Sequence, residues 1–207
     1  MADDAATAPA TTSVHDASLF DVVERGGDVG LVDHLVTVKH ASPNARKGGF
    51  PFQITALMEA AQRGLTHHVD TLLRLGADPF LRVASDTVVQ FAAVAPTPGP
   101  LAVLVAHGVP LTVSGRFGCT ALGIAARCGN MDVVEFLLQH PSVACEAHVG
   151  KTLWMGMTAA DEAANGGHTE VHARLVRALR EARRWERRVC TARVLVCVGE
   201  ALPVLPT

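Results

Sequence analysis

The sequence contains no tyrosine, and its seven phenylalanines and two tryptophans make up only 4% of the 207 residues. Charged residues are also scarce at 18%, whereas hydrophobic residues reach 49%. This balance excludes a mostly disordered chain, because disordered segments are rich in charge and poor in apolar side chains. The 32 alanines favour closely packed helices over a β-sandwich, which depends on aromatic and β-branched residues.

Cysteine pairs and long apolar runs are also absent. The five cysteines are scattered and include no Cys-x-x-Cys pair, which argues against a disulfide framework and a structural zinc site and favours reduced thiols; they are Cys119, Cys128, Cys145, Cys190 and Cys197. The longest apolar stretch, residues 189–198, is interrupted by Arg193 and is too short to span a bilayer. Residues 1–13 lack a secretory signal. We therefore expect a cytoplasmic protein, with the nucleus as a second possibility.

The sequence lacks every common catalytic signature. It has no Gly-x-Ser-x-Gly, no His-Glu-x-x-His and no phosphate loop, although residues 149–152 (VGKT) resemble the end of one. His67 and His68 are adjacent and would point about 100° apart on a helix, which makes them a poor metal-binding pair. We predict no catalytic residue, no metal, no cofactor and no small-molecule substrate. The net charge of −2 gives no indication of a nucleic-acid partner.

What the sequence does contain is an internal repeat. Residues 55–64 (TALMEAAQRG) and 120–129 (TALGIAARCG) share Thr, Ala, Leu, two Ala and Gly at a separation of 65, about two periods of 33. Residues 87–93 (TVVQFAA) and 158–167 (TAADEAANGG) occupy the same frame, and residues 19–26 match it without the opening Thr. A second apolar segment with helical spacing follows each block. The pattern predicts about five helix–turn–helix units.

Each shared residue has a physical role in such a unit. The opening Thr is a helix N-cap, whose hydroxyl accepts a backbone hydrogen bond worth about 1 kcal/mol. The alanine pair lets neighbouring helices approach closely, and the Gly forms a left-handed C-cap. In the third unit Pro96 replaces that Gly, so its first helix must end there. The turn that follows, residues 96–100, is either a rigid connection or a binding element.

The repeated units resemble ankyrin repeats. Residues 73–79 (LRLGADP) look like the close of that family's second helix, and residues 167–171 (GHTEV) look like its link between helices, which gives His168 a structural role. The resemblance implies an all-α solenoid with hairpin-like finger loops and a C-terminal helical extension. We predict a disordered leader at 1–16, repeats at 17–180 and an Arg-rich cap and tail at 181–207. The five units are placed at about 17–50, 51–82, 83–115, 116–150 and 154–180.

The resemblance also implies a binding surface. Ankyrin-like repeats recognise partners through finger tips and first helices, at positions just before the capping Thr and just after the alanine pair. The matching residues that we predict to bind a partner are Phe52, Ile54, Arg63, Asp86, Arg116, Phe117, Arg127, Trp154 and Met157. Further groove positions are Gln62, Val83, Ala84, Cys119, Met155 and Asn165.

Aromatic residues, Met and Arg are enriched in interface cores. Phe52, Phe117 and Trp154 would form a discontinuous apolar stripe with arginines beside it. This favours a non-enzymatic, monomeric scaffold or adaptor that binds an apolar, partly acidic peptide or domain. The alternative is that Phe52 and Phe117 pack between fingers. The long loops at 39–54 and 145–156 either contact a partner or are mobile.

The C-terminal region carries most of the positive charge. Residues 174–193 contain eight Arg and two Glu, a net charge of +6, with apolar residues at three- and four-residue spacing. This predicts an amphipathic helix that runs past the last repeat. It either caps the array through Leu175, Leu179 and Trp185, binds an acidic partner, nucleic acid or an anionic membrane, or acts as a nuclear import signal.

Overall fold

The computed structural model describes residues 14–48, 53–144 and 157–198, with side chains up to Trp185. The helices in these residues are α1 (Val14–Glu24), α2 (Val29–Thr37), α3 (Ala56–Gln62), α4 (Thr66–Arg74), α5 (Val88–Val94), α6 (Gly99–Ala106), α7 (Ala121–Cys128), α8 (Met131–Gln139), α9 (Pro141–Ala144), α10 (Ala159–Asn165) and α11 (Thr169–Val198). Strands β1 (Arg46–Lys47) and β2 (Ile54–Thr55) pair antiparallel, with Arg46 opposite Thr55. The predicted all-α class is confirmed.

The repeated threonines begin the first helix of four units. The Oγ1 of Thr55 accepts the N–H of Met58 at 3.3 Å, and that of Thr120 accepts the N–H of Gly123 at 3.1 Å. Thr158 forms a reciprocal capping box with Asp161. The third unit differs, because Thr87 donates both its N–H and its hydroxyl to Oε1 of Gln90. The predicted N-caps are thus confirmed, each by a local hydrogen bond.

The ends of the first helices follow the glycine pattern as well. Gly64, Gly129 and Gly167 all adopt left-handed backbone angles, which an L-residue would occupy only at a cost. In the third unit α5 ends at Val94, just before Pro96, as the proline predicted. The next helix begins at Gly99, which packs against the hydroxyl of Thr66 so closely that a Cβ there would overlap it.

The helices form two layers. The first helices α1, α3, α5, α7 and α10 pack one on the next, while α2, α4 and α6 pack in a second layer and α11 contacts both α10 and α8. The alanine pairs of α3, α5 and α7 are fully buried between neighbouring units. Large side chains such as Leu57, Leu104 and Leu137 fill the space between the layers. The close approach that alanine permits therefore holds the stack together.

Side chains from the second, fourth and fifth units reach back to the backbone of the unit before. The imidazole of His68 donates to the carbonyl of Gly27 at 2.9 Å, and the amide of Asn130 donates to that of Ala95 at 2.5 Å. His168 donates to the carbonyl of Arg127 at 3.1 Å, which confirms its predicted structural role. These contacts satisfy carbonyls at the ends of first helices that have no intrahelical partner.

One boundary differs from the sequence-based expectation. Helix α1 begins at Val14, so residues 14–16 are helical rather than part of the leader, and Oδ1 of buried Asp16 accepts the N–H of Ser42 at 2.7 Å. Helix α11 runs from Thr169 to Val198 and so continues past the last repeat, as the amphipathic pattern predicted. Residues 1–13 and 199–207 lie outside the described residues. No helix in the described ranges is long and apolar enough to cross a membrane.

Candidate functional site

A groove crosses the second, third and fourth units on the side of the first helices and the fingers. It contains a cavity of about 160 Å³. We call the residues that line it the groove; they are Gln62, Asp86, Gln90, Phe91, Val94, Ile124 and Arg127. They come from α3, α5, α7 and the finger before α5. The stacking of three consecutive first helices therefore assembles the groove.

The floor of the groove is apolar because of the repeat phase. Phe91 and Ile124 each precede an alanine pair, at the position where the second and fifth units have Glu59 and Glu162. Val94 follows the pair, one helical turn later, and is 41% exposed. Since the alanines on either side are buried in the stack, Val94 is directed to the open side of the layer, whereas Phe91 is half-buried and Ile124, only 7% exposed, packs into the core beneath it. Among the described units, the third and fourth have an apolar side chain at the position before the alanine pair.

Charged groups border this floor. Asp86 and Arg127 lie at its edges, and Oδ1 of Asp86 accepts the backbone N–H of Arg116 at 2.7 Å. At the end of α3, Arg63 forms an ion pair with Glu59 and also donates to the carbonyl of Glu24 at 2.8 Å. Arg127 is exposed, and within the described ranges it has no ion pair. Its charge is therefore available to a partner.

The tips of two fingers stand beside the groove in strained conformations. Ala84 and Ser85 have φ of 50° and 79°, between Val83 and Asp86, which exchange two hydrogen bonds of 2.9 Å. At the next tip Phe117 has φ of 56°, although its side chain is 53% exposed. A bulky L-residue in the left-handed region of backbone angles costs about 1–2 kcal/mol, and such strain is concentrated at binding and active sites.

Phe117 is also paired with its neighbour. The guanidinium of Arg116 lies 4.7 Å from the centre of the Phe117 ring, within the range of a cation–π contact. The pair combines a large apolar face with a positive charge at one exposed finger tip. Both residue types are typical of the side chains that dominate interface energetics.

The structure brings some predicted residues together and separates others. Asp86 and Arg127 line the groove, and Arg116 and Phe117 are attached to its edge through Asp86. Ile54 is half-buried and packs against the hydrophobic core, as Phe91 does, but it is not among the residues that line the groove.

The remaining predicted residues lie elsewhere. Arg63 is held by Glu59 and Glu24 at the end of α3. Met157 is half-buried, and the amide of exposed Asn165 lies 3.2 Å from its sulfur, so the two predicted residues contact each other in the fifth unit, away from the groove. Phe52 and Trp154 lie outside the described residues, as do most of the residues of the two long loops.

Sequence reasoning missed Phe91, Val94, Ile124 and Gln90. The signal was present, since all four fall at fixed offsets after Thr87 or Thr120. In the third unit the family's pattern predicts groove residues on the finger before Thr87, and it does not include the helix positions after Thr87. The side chain directly before the alanine pair lines the cavity, as the one after it does.

The thiol of Cys119, which follows the finger tip of Phe117, is poorly suited to nucleophilic catalysis. Cys119 is half-buried, and desolvation raises the pKa of its thiol. Arg127 opposes this increase, while the carboxylates of Glu162 and Asp86 add to it. The thiol stays protonated and weakly nucleophilic near neutral pH. Among the described residues there is also no cluster of three or more His, Cys, Asp or Glu that could hold a metal ion.

Two stretches of the chain match known family models. Residues 53–83, which include α3 and α4, match the ankyrin repeat, and residues 101–138, from α6 to α8, match a model of ankyrin repeats in many copies. No curated protein matches the sequence. Ankyrin repeats are generally protein–protein interaction modules, and the family is typically non-enzymatic. The two matches cover 31 and 38 residues, together 69 of the 207, and over these stretches the chain is similar to ankyrin repeats.

Proposed function

We propose that the protein is a non-enzymatic, monomeric adaptor that binds a partner protein through the groove. The observation that carries this proposal is the apolar floor of Phe91, Val94 and Ile124, bordered by the opposite charges of Asp86 and Arg127. An apolar centre within a polar rim is the arrangement typical of recognition surfaces. The family's general role in protein–protein interaction supports the same conclusion.

The partner contact has two parts. An apolar side chain of the partner fills the cavity and covers Val94, which contributes binding energy by removing apolar surface from water. A carboxylate of the partner pairs with Arg127, and this contact sets register and specificity more than affinity. The groove therefore favours an apolar segment with an acidic residue beside it.

The finger tip contributes a second anchor. Phe117 and Arg116 form an exposed aromatic and cationic pair next to the groove, on a backbone held in a strained conformation. Because the tip is fixed through Asp86, little conformational entropy is lost when a partner covers it. The groove and the finger tip thus form one continuous recognition surface.

The experiment that tests the proposal is comparative capture from lysate of the source cell. The immobilised native chain is compared with Val94→Glu, which places a charge at the apolar floor. The matched control is Leu31→Glu, since Leu31 is 49% exposed on α2 in the other layer. We expect a partner that Val94→Glu loses and Leu31→Glu retains, with the circular dichroism of all three chains unchanged.

A second variant checks the polar half of the surface. Arg127→Glu reverses the charge at the rim, and the side chain is exposed, so the fold should be preserved. We expect slower association and lower affinity with the captured partner. A partner that binds both groove variants as tightly as the native chain would show that recognition takes place elsewhere and would refute the proposal.

A further inference from the structure

The face that carries the groove continues onto the fifth unit. Four residues after the capping threonine, Phe91 and Ile124 line the groove, and Glu162 of α10 occupies the same position in the next unit. Helix α10 packs directly on α7, so it extends the row of first helices beyond the groove. The apolar row of the third and fourth units therefore ends in a carboxylate.

Glu162 differs from the glutamate at the other end of this row. Glu59 has Arg63 one helical turn later, and the two form an ion pair. At the corresponding position Glu162 has Gly166, and no Lys or Arg lies three or four residues before or after it. Although Glu162 is half-buried, its carboxylate forms no ion pair or hydrogen bond among the described residues.

Arg127, on the neighbouring helix α7, is in the same situation. No acidic residue lies three or four positions to either side of it. The thiol of Cys119 responds to both charges: desolvation raises its pKa most, Arg127 lowers it and Glu162 raises it. The two opposite charges thus lie near one half-buried point of this face, although no ion pair joins them.

A partner that covers this face removes water from both charges. A half-buried carboxylate that loses its remaining water without gaining a cation is costly, and this cost weakens association. The partner must therefore present a cation to Glu162 and a carboxylate to Arg127. An apolar or acidic side chain opposite Glu162 is rejected, which is how an unpaired charge produces specificity.

We propose that Glu162 determines the specificity of the groove by pairing with a Lys or Arg of the partner protein. This inference rests on the proposed function of the groove. The partner carries three features in order along the stack: an apolar side chain for the cavity, an acidic one for Arg127 and a basic one for Glu162. Neighbouring packed helices lie about 8–10 Å apart, a distance spanned by about seven residues of a partner helix or about three of a polyproline II segment.

The test uses a panel of fluorescein-labelled synthetic peptides. Each contains a Leu, a first charged position beside it and a second charged position three or seven residues farther on, and each is made in both chain directions. The two positions carry Glu and Lys, Lys and Glu, Glu and Glu, or Lys and Lys. Binding to the full chain is measured by fluorescence anisotropy. We expect the order Leu–Glu–Lys to bind about tenfold more tightly than Leu–Glu–Glu.

Two variants separate specificity from a folding defect. Glu162→Gln keeps the size of the side chain and should remove the preference for Lys over Glu at the second position, without a change in circular dichroism. Arg127→Glu combined with Glu162→Arg should invert the preferred order to Leu–Lys–Glu, which a misfolded chain would not do. The matched control is Glu170→Gln, because Glu170 is exposed at the start of α11, outside the row of first helices, and should leave the preference unchanged.

The outcomes distinguish this inference from the groove proposal itself. If Val94→Glu abolishes peptide binding but Glu162→Gln leaves the charge preference unchanged, the groove stands and the inference is wrong. If no peptide binds, or if binding persists in Val94→Glu, the groove proposal fails and the inference fails with it.

Discussion

The backbone N–H of Arg116 donates a hydrogen bond of 2.7 Å to Oδ1 of Asp86, and this bond joins the finger of the fourth unit to the finger of the third. The contact is close, since a Cβ at Gly115 would overlap the same oxygen. Asp86 also lines the groove. One carboxylate therefore forms part of the groove wall and fixes the residue before Phe117, which couples the two parts of the proposed recognition surface.

Removal of this acceptor should loosen the finger. Asp86→Ala leaves the N–H of Arg116 without its partner, and we expect the free energy of unfolding to fall by about 1–2 kcal/mol. Urea denaturation followed by circular dichroism measures the change. Asp86→Asn is the matched control, because its amide oxygen can still accept the bond. If both variants lost the same stability, the negative charge rather than the hydrogen bond would be responsible.

The strained finger tip gives opposite effects on stability and binding. Asn tolerates the left-handed region better than Phe, so Phe117→Asn should relieve strain that costs about 1–2 kcal/mol and lose a cation–π contact worth about 0.5–1 kcal/mol. We expect equal or slightly higher stability in urea denaturation. Affinity for a captured partner should decrease at the same time.

The same substitution at the neighbouring tip is its control. Ala84 has φ of 50°, so Ala84→Asn should relieve similar strain without removal of an aromatic side chain. Partner affinity should then be retained. If Phe117→Asn destabilised the chain by several kcal/mol, Phe117 would be a packing residue, which is the alternative that the sequence left open.

The parts of the fold that sequence predicted are those controlled by local chemistry. Thr55 and Thr120 cap helices through hydrogen bonds to residues three positions away, and Gly129 adopts its left-handed angle within one turn. Such features depend on adjacent residues and so appear directly in the repeat pattern. The sequence also predicts that α11 is unbroken, because residues 169–198 contain neither Gly nor Pro.

The groove itself could be predicted only in part. The family's pattern identifies Asp86 and Arg127, but the exposure of Val94 and the place of half-buried Phe91 in the groove depend on how three successive first helices stack. Ile54 is a predicted groove residue that does not line the groove, because its side chain packs against the core. Stacking between units is a long-range property that spacing along one unit does not contain.

Acid should weaken the cap of α10. Hydrogen bonds from the backbone N–H and the hydroxyl of Thr158 hold the pKa of Asp161 below its usual range. A lowered pKa in the folded state contributes stability above the unfolded value of about 4, and this contribution is lost as the pH falls through the folded pKa. We expect the thermal midpoint to decrease from pH 5 to pH 3.

Asp161→Asn removes this titration and should make the acid dependence shallower. Asp132→Asn on α8 is the control, because it removes one carboxyl for which the structure shows no capping hydrogen bond in the described residues. Melting curves at half-unit pH intervals compare the two. An equal change of slope in both variants would show that total charge, and not the cap of α10, governs the response.

The turn at Gly129 should tolerate substitution poorly, because this glycine packs against His168. Gly129 has φ of 71°, and a Cβ there would overlap the imidazole of His168, which donates to the carbonyl of Arg127. Gly129→Ala therefore adds a steric conflict and a weakened hydrogen bond to the backbone strain, and we expect a loss of about 3 kcal/mol in urea denaturation.

The variant Gly108→Ala separates the cost of backbone strain from the cost of steric overlap with His168. Gly108 has φ of 77°, but no atom lies within 4 Å of the Cβ it would carry, so only backbone strain of about 1–2 kcal/mol is expected. The double variant with His168→Ala should recover part of the stability lost in Gly129→Ala, since the overlap disappears. If Gly129→Ala and Gly108→Ala were equally destabilised, the imidazole would have moved aside at no cost, and the link between the fourth and fifth units would be softer than the packing indicates.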